Sequence, residues 1–570
     1  MWVLPFLYYH HAYPLTTFYQ EWGAAVLGLC AMPVLVTQRF WQQPEIPRIV
    51  LLPIGLMLPV LVQFALGRIA YLDQTLLFTL YMLWATLLVM LGQRLREELG
   101  MPLLATVLAA FLLLGAELSA LSGVLQHFRW RTPLDAVVTV KISAAVYGNV
   151  AQPNHFADYI TLGLISLGLL RMSWRLRAWQ AVLLATPLLF VLVLSGSRSV
   201  WLYLLCVTGI AFLWQRRDKS CLPLLHYSLL LILGFALMNG MVQLPLFAAG
   251  TSTAQRVIEG GTGNSIRLYL WHEAWLIFTQ YPLLGAGFGQ FAWQHFQLGP
   301  LLHATNINGL YNNAHNFVMQ IAAEMGLAGL LVLFGTMTLW VRQAHAAQRS
   351  IYHWWGFALL AVLAIHSLLE YPLWYAYFLG VAAFTLGMLD GTSYRLELRG
   401  LGRLSVAAML LLGLLSLSQM LPGYRNMEGL VAMRPASATD QQGYSQRVRD
   451  GLGAVYGQSL LRPYAELMMS GMIEPSAGHL ADKLLLNESV MRFVPIGPVV
   501  YRESLLLALS GQQAAAKLQM ERAIWSYPAD FPAVREELRS FALNDPAHFA
   551  ALLEFALQKN EERQRAIHMG

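Results

Sequence analysis

Charge is scarce in this 570-residue chain: Asp, Glu, Lys and Arg together supply 12% of it, about half the share usual in a soluble globular protein. With 57% hydrophobic residues, that scarcity excludes an ordinary soluble fold and leaves a polytopic membrane protein. Cysteine is almost missing as well. Cys30, Cys206 and Cys221 stand far apart, so neither a disulfide framework nor a metal cluster of the CxxC kind is available. There is no low-complexity tract and no internal repeat relating two halves of the chain. The net charge of +6 does not argue for nucleic acid, because the basic residues are distributed as a membrane would distribute them.

Apolar stretches long enough to span a bilayer occur at about residues 22–38, 49–66, 75–92, 101–122, 155–171, 178–195, 199–214, 223–241, 317–341, 354–370, 373–390 and 403–421, about twelve in all. Arg39 and Arg48, Arg94 and Arg96, Arg171 with Arg175 and Arg177, Arg216 with Arg217 and Lys219, Arg342 and Arg349, and Arg395 with Arg399 and Arg403 fall in every second connection. Those connections are therefore cytoplasmic. The others, with everything after Leu421, face the opposite side. Residues 1–9 are too few to span and lack the basic start and cleavage site of a removed signal peptide.

The expected fold is all-α, with a transmembrane catalytic domain over 1–421, a large loop at about 242–316, and a soluble helical domain over 422–570. The loop carries Arg256, Arg267, His272, Glu273, His295, His303 and His315 on the non-cytoplasmic face, more than a connection needs. The last segment is richer in charge and punctuated by Pro435, Pro463, Pro475, Pro528 and Pro532. Its stretch Ala514–Ile524, followed by Tyr527-Pro528, suggests one helical-hairpin repeat.

Polar side chains at span ends are costly in lipid and point to function. Glu117, Asp158, Glu324 and Glu370 all fall on the non-cytoplasmic half of their spans, while Asp390 sits beside a basic loop. Asn316, Gln320 and Glu324 recur every four residues and share a helix stripe below His315, a pattern repeated by Asn154 and Asp158. A polar cavity open to one face is expected.

Six separated motifs appear in order: Tyr147–Asp158 (YGNVAQPNHFAD), Ser195-Gly196-Ser197-Arg198, Arg267 ahead of Trp271, Tyr281–Gly287, Ala314-His315-Asn316, and Glu370-Tyr371-Pro372-Leu373-Trp374. With them the chain resembles the O-antigen ligase superfamily and, more narrowly, its bacterial protein O-oligosaccharyltransferase branch. The N-terminal His10-His11-Ala12-Tyr13-Pro14, the Phe18–Trp22 segment and the C-terminal domain are similar to that branch too. The departure is at the start, where the span preceding the His-x-x-Pro segment is cut short. The resemblance implies transfer of a glycan from an undecaprenyl-diphosphate carrier to a hydroxyl of an acceptor protein, pilin-like or periplasmic, at the periplasmic face of the bacterial inner membrane.

Such a reaction needs donors for a departing diphosphate, and guanidinium groups match phosphate oxygens in paired geometry. Arg198 and Arg267 are the candidates. An imidazole can accept the acceptor's hydroxyl proton; His315 would do so, oriented by Asn316 or Glu324. Gln152, Asn154 and His155 would bind the diphosphate or first sugar, and Tyr371 would lie near the acceptor. No cofactor, nucleotide sugar or metal is needed in principle.

Blander readings attend each residue. A lone Arg at a span end snorkels more often than it binds substrate, and histidines such as His226 and His345 read as surface groups. The run Gly285-Ala286-Gly287-Phe288-Gly289 follows no strand and is read as a flexible turn, not a phosphate loop. Trp271, Trp275 and Tyr281 read as an interfacial aromatic belt. The rival classes are a ligase acting on lipid A-core, a glycan polymerase, and a transporter of lipid-linked glycan, although a transporter should carry its charges nearer the midplane.

Overall fold

Leucines point outward along most of the long helices: Leu58, Leu331 and Leu404 are 65%, 72% and 67% exposed. Only lipid makes such a surface tolerable. The structure, a computed structural model, describes all of residues 1–570 except 43, 245–262, 306, 347–349, 397, 435–440, 458–459 and 570. Arg256, Arg349 and Pro435 fall outside the described residues, as do the side chains of His345 and Arg399.

The chain is a polytopic membrane protein built almost wholly of helices. Among the described residues, nine helices are long and apolar enough to cross a membrane. They include α1 (Phe18–Ala31, continued by a 3-10 turn to Val36), α2 (Leu51–Ala65), α3 (Leu72–Leu99), α4 (Met101–Phe128) and α5 (Pro153–Ser173). The rest are α7 (Ser199–Arg217), α8 (Leu222–Met241), α11 (Phe317–Ala346) and α14 (Arg399–Ala432). Three shorter apolar helices, α6 (Ala178–Leu194), α12 (Ile351–Ser367) and α13 (Ala376–Leu389), take up the remaining expected runs. Two helices of the large loop, α9 (Gly263–Gln280) and α10 (Phe291–Leu302), lie between α8 and α11.

The bundle is organised around α5, whose residues from His155 to Leu170 are buried without interruption. Apart from a few polar groups, His155 and Asp158 among them, it is apolar on every face and so belongs inside, and α4, α6, α7 and α12 surround it. On the face of the basic loops a small antiparallel ribbon pairs Glu45–Pro47 with Ser393–Arg395. There the Asp390 carboxylate accepts from the Ile49 N–H at 2.9 Å.

On the opposite face α11 is not one continuous helix, for Gly326 takes φ 61° and ψ −155°. The chain from Pro282 to Gly287 fits against that break: Ala286 N–H donates to the Ala323 carbonyl at 2.9 Å, and Leu327 N–H to the Pro282 carbonyl at 2.8 Å. Gly285 is required here. Its φ is +69°, and a Cβ would stand 2.2 Å from the Glu324 carbonyl carbon. The first half of the glycine run read as a flexible turn, Gly285–Gly287, is thus buried against a broken helix.

The expected boundary at 421/422 falls inside α14, which runs through Pro422 to Ala432. Beyond it come α15 (Gln441–Tyr456), α16 (Arg462–Ser470), α17 (Leu480–Phe493), α18 (Gly497–Leu509), α19 (Gln513–Ser526), α20 (Phe531–Asn544) and α21 (Pro546–Met569). Short connections fold α18 onto α19 and α20 onto α21 as hairpins. The single suggested repeat unit, α19, packs between α18 and α21. Phe296 of loop helix α10 is 1% exposed and belongs to the same apolar core as Val500, Ala516, Ile524 and Leu552. Loop and C-terminal helices therefore share one core.

Candidate functional site

After Ser367 closes α12, the Glu370 N–H returns to the His366 carbonyl at 2.7 Å and Pro372 opens a short 3-10 turn. Pro cannot continue α12, so the chain turns and carries the Glu370 carboxylate inward, where it is 7% exposed. Three elements meet it. His315 Nδ1 lies 2.7 Å from Oε2, while Arg267 Nη2 and Asn154 Nδ2 donate to Oε1 at 2.9 and 3.1 Å. Burial pushes the Glu370 carboxyl up, but the His315 hydrogen bond and the charges of His315, Arg267 and His366 outweigh it and hold the group below its ordinary value. It is an ionised carboxylate shared by an imidazole, a guanidinium and an amide.

His315 occupies the turn that heads α11. Its φ of 49° is uncommon for a side-chain-bearing residue; the Asn313 carboxamide oxygen accepts its N–H at 2.7 Å and holds it there. Nδ1 faces the carboxylate, so the tautomer that donates to Glu370 is the one that leaves Nε2 pointing away from it. The Tyr371 ring stands edge-on to the imidazole at 5.3 Å and stacks on Tyr375 at 6.0 Å. Burial, then the charge of Glu370, raises the Tyr371 hydroxyl above its usual value.

The remaining expected site residues have varied settings. Asn316 Oδ1 accepts from Val318 and Met319 N–H at 3.0 and 3.1 Å, capping α11, and Gln152 Oε1 accepts from His155 N–H at 2.5 Å, capping α5. Neither touches His315 through these bonds. Glu324 accepts from Phe291 N–H at 3.1 Å and so holds the start of α10. The carboxylate beside His315 is therefore Glu370, not Glu324, and the two expected orienters, Asn316 and Glu324, are engaged elsewhere. His155 is 2% exposed, with its ring 4.7 Å from Tyr375 and 5.2 Å from His366. Arg198 stands half-buried at the N-cap of α7. Tyr203, further along that helix, lies within electrostatic reach of Asp158, Glu370 and Arg267.

The four acids expected in one cavity have separate roles: Asp158 bonds His366 Nδ1 at 2.8 Å, both fully buried beneath Glu370, and Glu117 Oε1 has no bonding partner. Glu370 was legible as an acid at a span end and as part of a motif, and its joining role follows from the fold. An apolar cavity of about 260 Å³ lies between α1, α3, α13 and α14 and reaches Trp374 and Tyr375. Among the described residues no three His, Cys, Asp or Glu side chains converge as metal ligands would.

Three family descriptions match the chain. "Protein glycosylation ligase" matches residues 146–170, "O-Antigen ligase" residues 182–334, and "Virulence factor membrane-bound polymerase, C-terminal" residues 354–540. A general O-oligosaccharyltransferase of Acinetobacter baylyi is 26% identical over 399 residues, which cover 67% of this chain and 66% of the relative. A ComP-specific O-oligosaccharyltransferase of the same organism is 22% identical over 243 residues, 42% of this chain and 43% of that one. The chain thus spans just under two thirds of the first relative and under half of the second. The matched segments contain Asn154, Arg198, Arg267, His315, Glu370 and Tyr371.

Proposed function

From its resemblance to the O-antigen ligase superfamily and that superfamily's protein O-oligosaccharyltransferases, we propose that this chain transfers a preassembled glycan from undecaprenyl diphosphate to Ser or Thr hydroxyls of periplasmic or pilin-like proteins. The observation that carries the reading is the single Glu370 carboxylate shared by His315, Arg267 and Asn154. His315 accepts the hydroxyl proton at Nε2 as the acceptor oxygen bonds to the anomeric carbon, and the bond from that carbon to the diphosphate breaks. Glu370 orients the imidazole and stabilises the imidazolium that forms. Arg267 spends one N–H on Glu370 and keeps others for the departing phosphate oxygens, with Arg198 as a second donor. Asn154, Gln152 and His155 line the donor side, and Tyr371 the acceptor side.

The apolar cavity ending at Trp374 and Tyr375 gives an isoprenoid tail a recess beside these groups. Guanidinium groups supply the countercharge, so we read the transfer as metal-independent. We read the site and the C-terminal helices as lying on the periplasmic side of the inner membrane, a reading supported by the basic connections on the opposite face. A second reading, glycan polymerisation, is favoured by the polymerase description that matches residues 354–540; a lipid A-core acceptor is a third.

The test is mass spectrometry of pilin and periplasmic proteins from cells with and without the chain. Glycosylated Ser or Thr peptides that depend on it support protein transfer. Their absence, with altered glycan length or lipid A-core modification, favours the alternatives.

A further inference from the structure

Arg267 reaches Glu370 only while α9 keeps its setting, and that helix carries a buried ionisable pair with no part in the chemistry above. By helical spacing Arg267, Leu270, Glu273, Ala274 and Ile277 share one face of α9. Glu273 is 0% exposed, and both its oxygens lie near His295 Nδ1 of α10, at 3.0 and 2.9 Å. Burial, then the charge and hydrogen bond of Glu273, raises the Tyr269 hydroxyl above its usual value, so this phenol closes the same cluster. A carboxylate withdrawn from water tolerates little change in its partners. The pair therefore fixes α9 against α10 in rotation and height, which apolar contact alone does not.

Helix α10 is itself fastened twice. Glu324 of α11 holds its start through the Phe291 N–H. Its other side is seated in the C-terminal helices: Phe296 lies in their core, His303 packs on Trp525 at 4.6 Å, and the Gly309 N–H beyond it donates to the Ser526 carbonyl at 2.7 Å. Reference geometry passes from the C-terminal domain to α10, through one buried pair to α9, and along α9 to the guanidinium.

We propose that Glu273 and His295 are positioning residues that set Arg267 against Glu370, transmitting the seating of the C-terminal helices to the site. The proposal rests on the reading of Arg267 as a donor-binding group. A displacement of about 1 Å at such a group can cost up to hundredfold in rate.

The test uses the full chain in lipid nanodiscs. Glu273→Leu/His295→Leu keeps the contact filled with apolar side chains while removing its hydrogen bonds. Modification of Arg267 by phenylglyoxal, read by peptide mass spectrometry, reports without substrate whether Glu370 holds the guanidinium. We expect thermal unfolding near wild type and Arg267 modification about tenfold faster, approaching the rate in Glu370→Gln. Glu273→Gln, which still accepts from Nδ1–H, should retain protection. His295→Phe gives the same reading if the double variant does not fold. In a transfer assay the variant should raise the KM for donor with less change in kcat. Unchanged protection of Arg267 in a folded variant lacking the pair overturns the proposal. Faster labelling beside a wild-type protein that transfers no glycan supports the positioning role and overturns the functional reading instead.

Discussion

His315 Nδ1 and Glu370 Oε2 lie 2.7 Å apart although 55 positions separate them in the chain, and the other oxygen of that carboxylate is taken by Arg267 and Asn154. His315→Ala should leave insertion intact and lower transfer roughly hundredfold, the usual scale for a lost general base. Glu370→Gln keeps the shape and an acceptor for Nδ1–H while removing the charge, so its loss should be smaller, about tenfold. Initial rates in proteoliposomes at matched protein levels check both, and near-normal rates for His315→Ala would remove it from the mechanism.

At Arg267 and Arg198 the relevant comparison is Lys against Ala. If paired N–H donors grip the diphosphate, an ammonium keeps the charge but not the fork, and Arg→Lys should be nearly as impaired as Arg→Ala. Full activity in the Lys variants would show that field alone suffices. Added EDTA should leave the rate unchanged; abolition by EDTA and recovery with a divalent ion would defeat the metal-independent reading.

Acid should loosen the site late. Glu370 is held below its ordinary value of 4.5, so the stabilisation it supplies is fully present above about pH 4.5 and is lost as pH falls through its lowered native value. The gap in melting temperature between wild type and Glu370→Gln should stay level from neutral pH down to about 5, then narrow. A gap that closes between pH 7 and 6 would contradict an ionised, partnered Glu370.

A role for the C-terminal helices in acceptor choice alone would predict that truncation spares transfer to simple acceptors. Phe296 argues otherwise, because removing residues 441–569 bares a side chain that is 1% exposed. Truncation should reduce transfer to every acceptor and open residues 263–316 to protease. Phe296→Ala in the full chain should weaken this shared core by about 3–5 kcal/mol. Limited proteolysis with urea titration reads both, and a protease-resistant loop in the truncated chain would refute the shared core.

The apolar runs were legible because lipid demands mean hydropathy over a length, a property of composition. The broken helix was not: nothing in Phe317–Ala346 distinguishes Gly326 from Gly329 and Gly335, and the cause of the break lies in Pro282–Gly287. Asn316 and Gln152 precede apolar helices, the position of caps, yet read equally well as substrate ligands until their partners were known. The Asn316–Gln320–Glu324 stripe was a true helical spacing, but Gln320 accepts from the Ala314 N–H and Glu324 serves α10. Glu370 draws its partners from residues 154, 267 and 315, a convergence that no local pattern encodes.

The ribbon joining Glu45–Pro47 to Ser393–Arg395 has a consequence for biogenesis. Its strands are separated by 348 positions at the Ser393–Glu45 hydrogen bond, and synthesis at roughly 5–20 residues per second puts about 17–70 s between their emergence. The first spans must wait in the bilayer, with the strand edge at 45–47 unpaired, until nearly the whole bundle has been inserted. A ribosome arrested anywhere before residue 393 would leave the bundle without this tie, recognisable to quality-control proteases by that bare edge.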